Sequence, residues 1–433
     1  MILCSTTGFQ TRAFAAAARA MGLEVALGSD RCHVLEDPWQ DGALPLRFEN
    51  PEGSARAIVE YARSHPLAGI VALGDRTAPA AARACATLGL PFHSPAATDA
   101  ARDKYLSRER LRAAGLNIPA FDRYELACNP RDIIGEGGPS VGFPCVLKPV
   151  ALSASRGVIR TNNPKEFVAA FERIVALLSS PDVQVLREKT SGYLQAEAYI
   201  EGSEIAVEGL VEQGQMKILA VFDKPDPLEG PFFEETIYVT PSRLPAAKQR
   251  DIEETLNRAI TALGFFHGPF HAELRLNRRG VWPLEVAARA IGGLCSRALR
   301  FSLPGHAATV SLERLLIELA LGRQVSEARR EEAAAGVMMI PVEKAGIYEE
   351  TDGVEKARRT PGVEDVVITV IPKQRLTPLP EGSCYLGFIF ARDESPVRVE
   401  RTLRAARRRL AFRITPALPV ILNHQADPSS KRR

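Results

Sequence analysis

Short apolar runs alternate with amphipathic helical stretches across the first hundred residues, and that alternation constrains the fold more than any single motif. MILCSTTG reads as a short buried strand and a turn, and TRAFAAAARAMGLEVAL as a helix running into a second strand. SARAIVEYARSHP, AGIVALGD and TAPAAARACATLGL then give helix, strand and helix before the Pro-bounded PFHSP. Strands alternating with helices of this length predict a parallel α/β layer, placed at residues 1–102. A chain of 433 residues exceeds what one hydrophobic core usually supports, so two or three domains are expected.

From residue 103 the pattern becomes mixed. DAARDKYLSRERLRAAG reads as a helix ended by Gly115. FPCVLKPVALSASRGVIRT reads as strand, loop and strand. NPKEFVAAFERIVALLSS reads as a helix capped by Asn163 ahead of Pro164. Two hairpins follow. EIAVEGLVEQGQMKILAVF turns at Gln213-Gly214, and GPFHAELRLNRRGVWPLEVAAR turns between Asn277 and Gly280. PAAKQRDIEETLNRAITALG and SLERLLIELALG read as helices, and 103–325 is taken as one central domain. GVMMIPV through AFRI reads as a separate antiparallel α+β unit at 326–425. Residues 426–433 are expected to be a disordered tail.

Composition removes several function classes. The chain is 45% hydrophobic and 25% charged, as ordinary soluble globular proteins are. Its 55 basic and 52 acidic side chains leave a net charge of +3, too even to imply nucleic acid or a membrane surface as partner. Around RTLRAARRRLAFR, Val399, Leu403, Ala406 and Leu410 share one helical face, so its arginines are read as a solvated face rather than an anion-binding surface. Seven cysteines without a CxxC pattern suggest free thiols in a reducing compartment. MILCSTTG lacks a basic n-region, and no run approaches the ~18 apolar residues of a membrane span, so a cytoplasmic location is expected. The GxGxxG and GxxxxGK[ST] phosphate-binding patterns are both missing.

Four features carry chemistry, and each also has an ordinary structural explanation. Lys148 ends an apolar run and precedes a donor-rich loop of Ser153, Ala154, Ser155 and Gly157. That arrangement suits phosphate oxygens, although a surface lysine before a hairpin would look the same. Lys104, in Asp103-Lys104-Tyr105, places a cation near a helix N-terminus, which is unfavourable unless an anion sits there. A solvated helix face is the alternative. EAYIEGSEIAVE puts Glu197, Glu204 and Glu208 on strands, where carboxylates ask for partners such as hydroxyls or an exposed face. HAELRL and WPLEVAA each place one carboxylate, Glu273 and Glu285, inside apolar strands joined by a tight turn. Pairing brings the two together, a costly arrangement unless a cation bridges them, and hard oxygen ligands beside phosphates suit Mg²⁺. An ion pair with Arg275 or Arg289 would be the structural alternative. His267 and His271 are spaced like zinc ligands but lack HExxH and a third ligand, so structural histidines are expected. Met216-Lys217, like the dipeptide around a biotinylated lysine, lies inside a hairpin and is set aside.

In this order, the lysine of DKYLSRERLRAAGLNIP, then FPCVLKP, the small-residue loop, EAYIEGSEIAVE, HAELRL and LEVAAR resemble the running landmarks of the ATP-grasp superfamily. LEVAARAIGGLCSRAL and LPEGSCYLGFIFAR are more specifically similar to the carboxylate–amine ligase branch, which includes L-amino acid ligases and carnosine synthase-like enzymes. The resemblance implies an ATP-grasp fold with a Rossmann-like N-terminal domain, a lid subdomain at about 117–195 and a C-terminal α+β domain. It implies that Lys104 and Lys148 contact ATP phosphates. The loop from Ser153 to Gly157 would close over the β- and γ-phosphates. Glu197 with Ala198 and Ile200 would line the adenine edge, and Glu204 would take the ribose hydroxyls. Glu273 and Glu285 would hold Mg²⁺, with Mn²⁺ as a substitute. Arg289 would stabilise the transferring phosphoryl group. Two departures stand out: the loop carries fewer glycines than usual, and Ala287 replaces an asparagine that many members use as a metal ligand. The choice between one and two ions therefore stays open.

The function so implied is an ATP- and Mg²⁺-dependent ligase that joins a carboxylate to an amine through an acyl phosphate, with an amino acid as at least one substrate. FDKPDPLEGPFFEETIYVTPSRLP, long and Pro-rich, is expected to form a loop over the substrates, and Lys224, Glu235 and Arg297 are candidate contacts for charged substrate ends. A homodimer is common in the family. The rivals are an ATP-dependent carboxylase of biotin carboxylase type and a non-catalytic nucleotide-binding protein.

Overall fold

The computed structural model describes residues 1–5, 9–30, 43–150 and 152–417. The tail expected at 426–433 lies outside them. Four short parallel strands open the chain, in the order Ala43–Pro45, Leu27–Ser29, Ile2–Cys4, Val71–Leu73. Parallel neighbours need crossovers, and the helices Phe9–Ala20 and Pro51–Ser64 supply them. Asn50 starts the second of these by accepting the Gly53 N–H at 3.0 Å, with Pro51 where no N–H is needed. Leu3, Phe48, Ile58 and Ile70 fill the core between sheet and helices.

A second, four-stranded antiparallel sheet runs Phe121–Glu125, Tyr193–Ala198, Cys145–Pro149, Ile159–Thr161. The helix Pro164–Leu178 lays Phe167, Phe171 and Ile174 on it, and Asn163 caps that helix through the Glu166 N–H at 3.0 Å.

The largest sheet has eight antiparallel strands, in the order Gly280–Ala287, Gly268–Asn277, Ser203–Glu212, Gln215–Asp223, Ile237–Thr240, Ala334–Pro341, Tyr385–Asp393, Val363–Ile368. The Ser203–Glu212/Gln215–Asp223 hairpin turns at Gln213 and Gly214, both at positive φ (49° and 83°), as a two-residue turn with the right twist requires. The sheet corrects one sequence expectation. The strands read as a separate C-terminal unit continue the central sheet, because Ile237–Thr240 pairs with Ala334–Pro341 in the register Tyr238↔Val337. Ala334–Ile340 is buried throughout and needs partners on both edges, which local pairing alone cannot provide. A second correction concerns DAARDKYLSRERLRAAG. It forms two helices, Pro95–Arg102 and Lys104–Ala113, because the Asp103 carboxylate accepts the Tyr105 and Leu106 N–H groups and starts a new helix. Among the described residues no helix is long and apolar enough to cross a membrane.

Candidate active site

The three sheets enclose a cleft of about 580 Å³. From the N-terminal layer it is lined by Ser5, Gly74, Asp75 and Arg76, just past the carboxyl ends of Ile2–Cys4 and Val71–Leu73, where open parallel sheets place their ligands. The strand–loop–strand of residues 145–161 forms the opposite wall, and the large sheet forms the floor.

Lys148 is buried at the end of Cys145–Pro149, with its ammonium 2.7 Å from Glu197 on the neighbouring strand. Glu197 stands opposite Val146, so lysine and glutamate meet diagonally on one face of the sheet. Arg108 Nε and Gln195 Nε2 also donate to Glu197, at 2.8 and 2.6 Å. Burial would push this carboxyl up, but Arg108 and Lys148 overcome it and hold it at about 2. Burial lowers Lys148 to about 8, against the attraction of Glu197 and with further repulsion from Arg108 and Lys104. Lys104, first residue of its helix, donates to Leu152 O at 2.8 Å and lies 3.9 Å from Glu285.

Ser153, Ala154 and Ser155 line the cleft between these lysines. Ala154 and Ser155 hold φ of 56° and 53°, the left-handed region that glycine reaches without cost. The turn that glycine usually makes is therefore present without it. Gly157 is required on two grounds: its φ is 76°, and a Cβ there would sit 2.6 Å from Pro149 Cγ. It lies behind the lining. Ala198, Tyr199 and Ile200 continue the wall.

Glu273 and Glu285 face each other in register across the Gly268–Asn277/Gly280–Ala287 hairpin. Burial, together with repulsion from Glu235, Glu204 and Glu285, raises Glu273 to about 8 in spite of Lys224. Such a carboxylate pair on the cleft wall, beside Lys104 and Arg289, has the hard-oxygen chemistry and the charge imbalance of a Mg²⁺ site. Ala287 stands opposite His271 and offers no ligand atom. Arg289 lies 3.8 Å from Glu285 and donates to both oxygens of Asp75 at 2.9 Å, which locks the N-terminal layer to the Glu273/Glu285 hairpin. Burial opposes that pair, yet the guanidinium is raised and the Asp75 carboxyl lowered by their mutual charge.

Four candidates, Glu204, Lys224, Glu235 and Arg297, sit differently from the arrangement implied by the sequence. Glu204 accepts from Lys224 at 2.8 Å and from Arg275 at 3.1 Å, so its oxygens already hold cations. Lys224 also binds Glu235 and lies 3.6 Å from Glu273. It is the shared counterion of three carboxylates whose ligand atoms lie within 4.8 Å of one another. Arg297 does not reach the cleft: it pairs with Asp365 at 2.8 Å and covers the Phe390 ring at 4.4 Å. His267 binds Leu319 O and His271 binds Glu208, so the two do not converge on a metal. Sequence reasoning missed Asp75, Arg76, Arg102 and Arg108, and it named Arg275 only as an ion-pair alternative for Glu273 and Glu285, whereas the structure pairs it with Glu204. For Asp75 a signal existed, since it directly follows the strand end in ALGD.

Comparison with known proteins agrees with this fold. The ATP-grasp domain family matches residues 141–298, the ATP-grasp N-terminal domain residues 15–92, and the L-amino acid ligase C-terminal domain 2 residues 338–415. The solved L-amino acid ligase from Bacillus licheniformis superposes with a TM-score of 0.77 at 26% identity, covering 96% of this chain and 98% of that one. Biotin carboxylase from Campylobacter jejuni, at 16% identity and a TM-score of 0.64 over 96% and 92% of the two chains, shares the fold alone. Alanine–anticapsin ligase of Bacillus subtilis is 29% identical over 225 residues, 49% of this chain and 46% of that protein. The chain thus spans about half the length of that curated ligase. Fold and cleft together define an ATP-grasp protein. Within that superfamily the chain is most like carboxylate–amine ligases of the L-amino acid ligase type.

Proposed function

We propose that this chain is an ATP- and Mg²⁺-dependent ligase that forms an amide between a carboxylate and an amine, with an amino acid as at least one substrate. The observation that carries it is the convergence, in one cleft, of the in-register Glu273/Glu285 pair with Lys104, Lys148 and Arg289. Lys148 and Lys104 bind the phosphates of ATP, and the Ser153–Gly157 loop covers them. Glu273 and Glu285 hold the metal ion, which neutralises phosphate charge when bound. A substrate carboxylate attacks the γ-phosphorus, releasing ADP, and Arg289 stabilises the charge on the transferring group. The amine then attacks the acyl phosphate carbonyl, losing a proton to solvent, and inorganic phosphate leaves. The covering loop excludes the water that would otherwise hydrolyse the acyl phosphate.

Lys224 and Glu235 act by holding each other and Glu204 in place rather than as free substrate contacts. Beyond Arg289 the cleft is walled by Ile291, Cys295, Met339, Tyr385 and Phe388, which favours an uncharged, apolar side chain on one substrate. The carboxylase and non-catalytic readings are not favoured, since the relatives include alanine–anticapsin ligase, dapdiamide A synthase and a solved L-amino acid ligase, while the biotin carboxylase shares only the fold. ADP release from Mg²⁺-ATP across a pairwise panel of amino acids and small acids tests the proposal. ADP appearing only with an acid–amine pair, with a product of the condensed mass, supports it. ADP release that bicarbonate alone drives would overturn it.

A further inference from the structure

The turn at residues 378–383 belongs to the C-terminal segment, more than two hundred residues from the loop over the proposed ATP phosphates, yet it is bonded to that loop at two points and to the helix behind it at a third. The Gly157 N–H donates to Pro380 O at 2.8 Å. Arg156 Nε donates to Glu381 O at 2.6 Å. The Glu381 carboxylate takes both sides of the Arg173 guanidinium, with Nη2 to Oε2 at 2.9 Å. Arg173 stands on the helix Pro164–Leu178, which backs the same sheet. The turn therefore grips the loop from its own main chain and from the helix behind it. Ser383, at the end of the turn, lines the cleft beside Ser153, Ala154 and Ser155.

The turn is itself fixed. The Gly382 N–H donates to Pro378 O at 2.9 Å, and a Cβ on Gly382 would lie 1.7 Å from Thr377 O, so no other residue fits. The loop, by contrast, needs outside support. Ala154 and Ser155 both hold left-handed backbone, which L-residues keep only where the surroundings over-determine it. Bonds to the 378–383 turn supply that restraint at the loop's C-terminal end.

We infer that the 378–383 turn is a positioning element for the nucleotide loop, and that Glu381 is its positioning residue, acting through Arg173 and through the main-chain bonds to Arg156 and Gly157. The inference rests on the reading of the cleft as an ATP site. It gives the C-terminal segment a part in ATP binding and in keeping water from the acyl phosphate, although neither Glu381 nor Arg173 lines the cleft.

Charge swapping tests it. Glu381→Arg should weaken Mg²⁺-ATP binding and raise the KM for ATP about two- to fivefold, the scale of a partly exposed ion pair. It should also raise the ADP released per amide formed, while the KM values for acid and amine stay unchanged. Arg173→Glu alone should lose more, because its guanidinium also covers the Phe232 ring at 5.1 Å. The Arg173→Glu/Glu381→Arg double variant should bind ATP better than either single one. Gly382→Ala should weaken ATP binding about tenfold or more, since main chain rather than a flexible tip must move. Calorimetric Mg²⁺-ATP binding does not depend on the ligase reaction. If the wild type binds ATP but makes no amide from any pair, the ligase proposal fails while this comparison still stands. Unchanged ATP affinity and unchanged ADP-to-amide ratio in Glu381→Arg, or a double variant no better than Arg173→Glu, would overturn the positioning role.

Discussion

Glu197→Gln should weaken both the stability of the protein and its grip on ATP, and the two effects should separate by pH. The carboxylate is buried against two cations, Arg108 and Lys148. Its fall from 4.5 to about 2 corresponds to about 3 kcal/mol of stability at pH 7. Leaving a buried cation without its partner costs about 3–5 kcal/mol, which agrees in scale. Because the folded pKa is depressed, this stability is fully present above pH 4.5 and is lost as pH falls towards 2. The gap between wild type and variant should therefore be constant from pH 7 to 4.5 and narrow below it. Lys148 behaves oppositely. Its folded pKa of about 8 lies below the unfolded 10.5, so its burial opposes folding at pH 7, and that penalty fades as pH rises from 8 to 10.5. Without Glu197, Lys148 should lose its proton at lower pH still, and ATP affinity should fall at a pH where the wild type holds it. The assay is the urea midpoint at pH 7, 4.5 and 3, with calorimetric Mg²⁺-ATP binding from pH 6.5 to 9. A variant within about 1 kcal/mol of wild type at pH 7, or one whose deficit is the same at pH 3, would refute the reasoning.

Other outcomes follow from the same geometry. Glu285→Ala should reduce kcat by about 10²-fold or more, as loss of a transition-state charge partner does, and should weaken Mg²⁺-dependent ATP binding. Steady-state kinetics across a Mg²⁺ series would show it. Glu273 is raised to about 8, so metal binding at pH 7 should release a proton, and affinity should strengthen as pH rises towards 8. Calorimetry in two buffers of different ionisation enthalpy reads the proton count. Arg297→Ala should leave every KM within about twofold and stability within about 1 kcal/mol, since Arg297 makes a half-exposed ion pair outside the cleft.

The Glu273/Glu285 hairpin was legible because a tight turn fixes its register. Once the Asn277–Gly280 connection is seen, Glu273 and Glu285 must be neighbours, and a carboxylate inside each apolar strand marks the face. Lys148 was legible for a similar reason: an apolar strand delivers it to one end of the loop. Arg108 was not. It is one of three arginines in KYLSRERLRA, and only the packing of that helix against Glu197 and Leu284 O distinguishes it from Arg110 and Arg112. Lys224, Glu204 and Glu235 were all singled out, but not as partners, because Glu204 meets Lys224 from another strand and Glu235 meets it only once the intervening loop folds back. The continuity of the large sheet was hidden in the same way. Ile237–Thr240 and Ala334–Pro341 are strands by composition, but nothing local says that they pair across a hundred residues.

The central claim is that the carboxylate is activated by phosphoryl transfer in this cleft. The most direct measurement uses an acid substrate labelled with ¹⁸O in its carboxylate, turned over with Mg²⁺-ATP and its amine partner. The account predicts that one labelled oxygen appears in the inorganic phosphate for each amide formed, with ADP as the nucleotide product. Unlabelled phosphate, or label carried into AMP with pyrophosphate released, would contradict it.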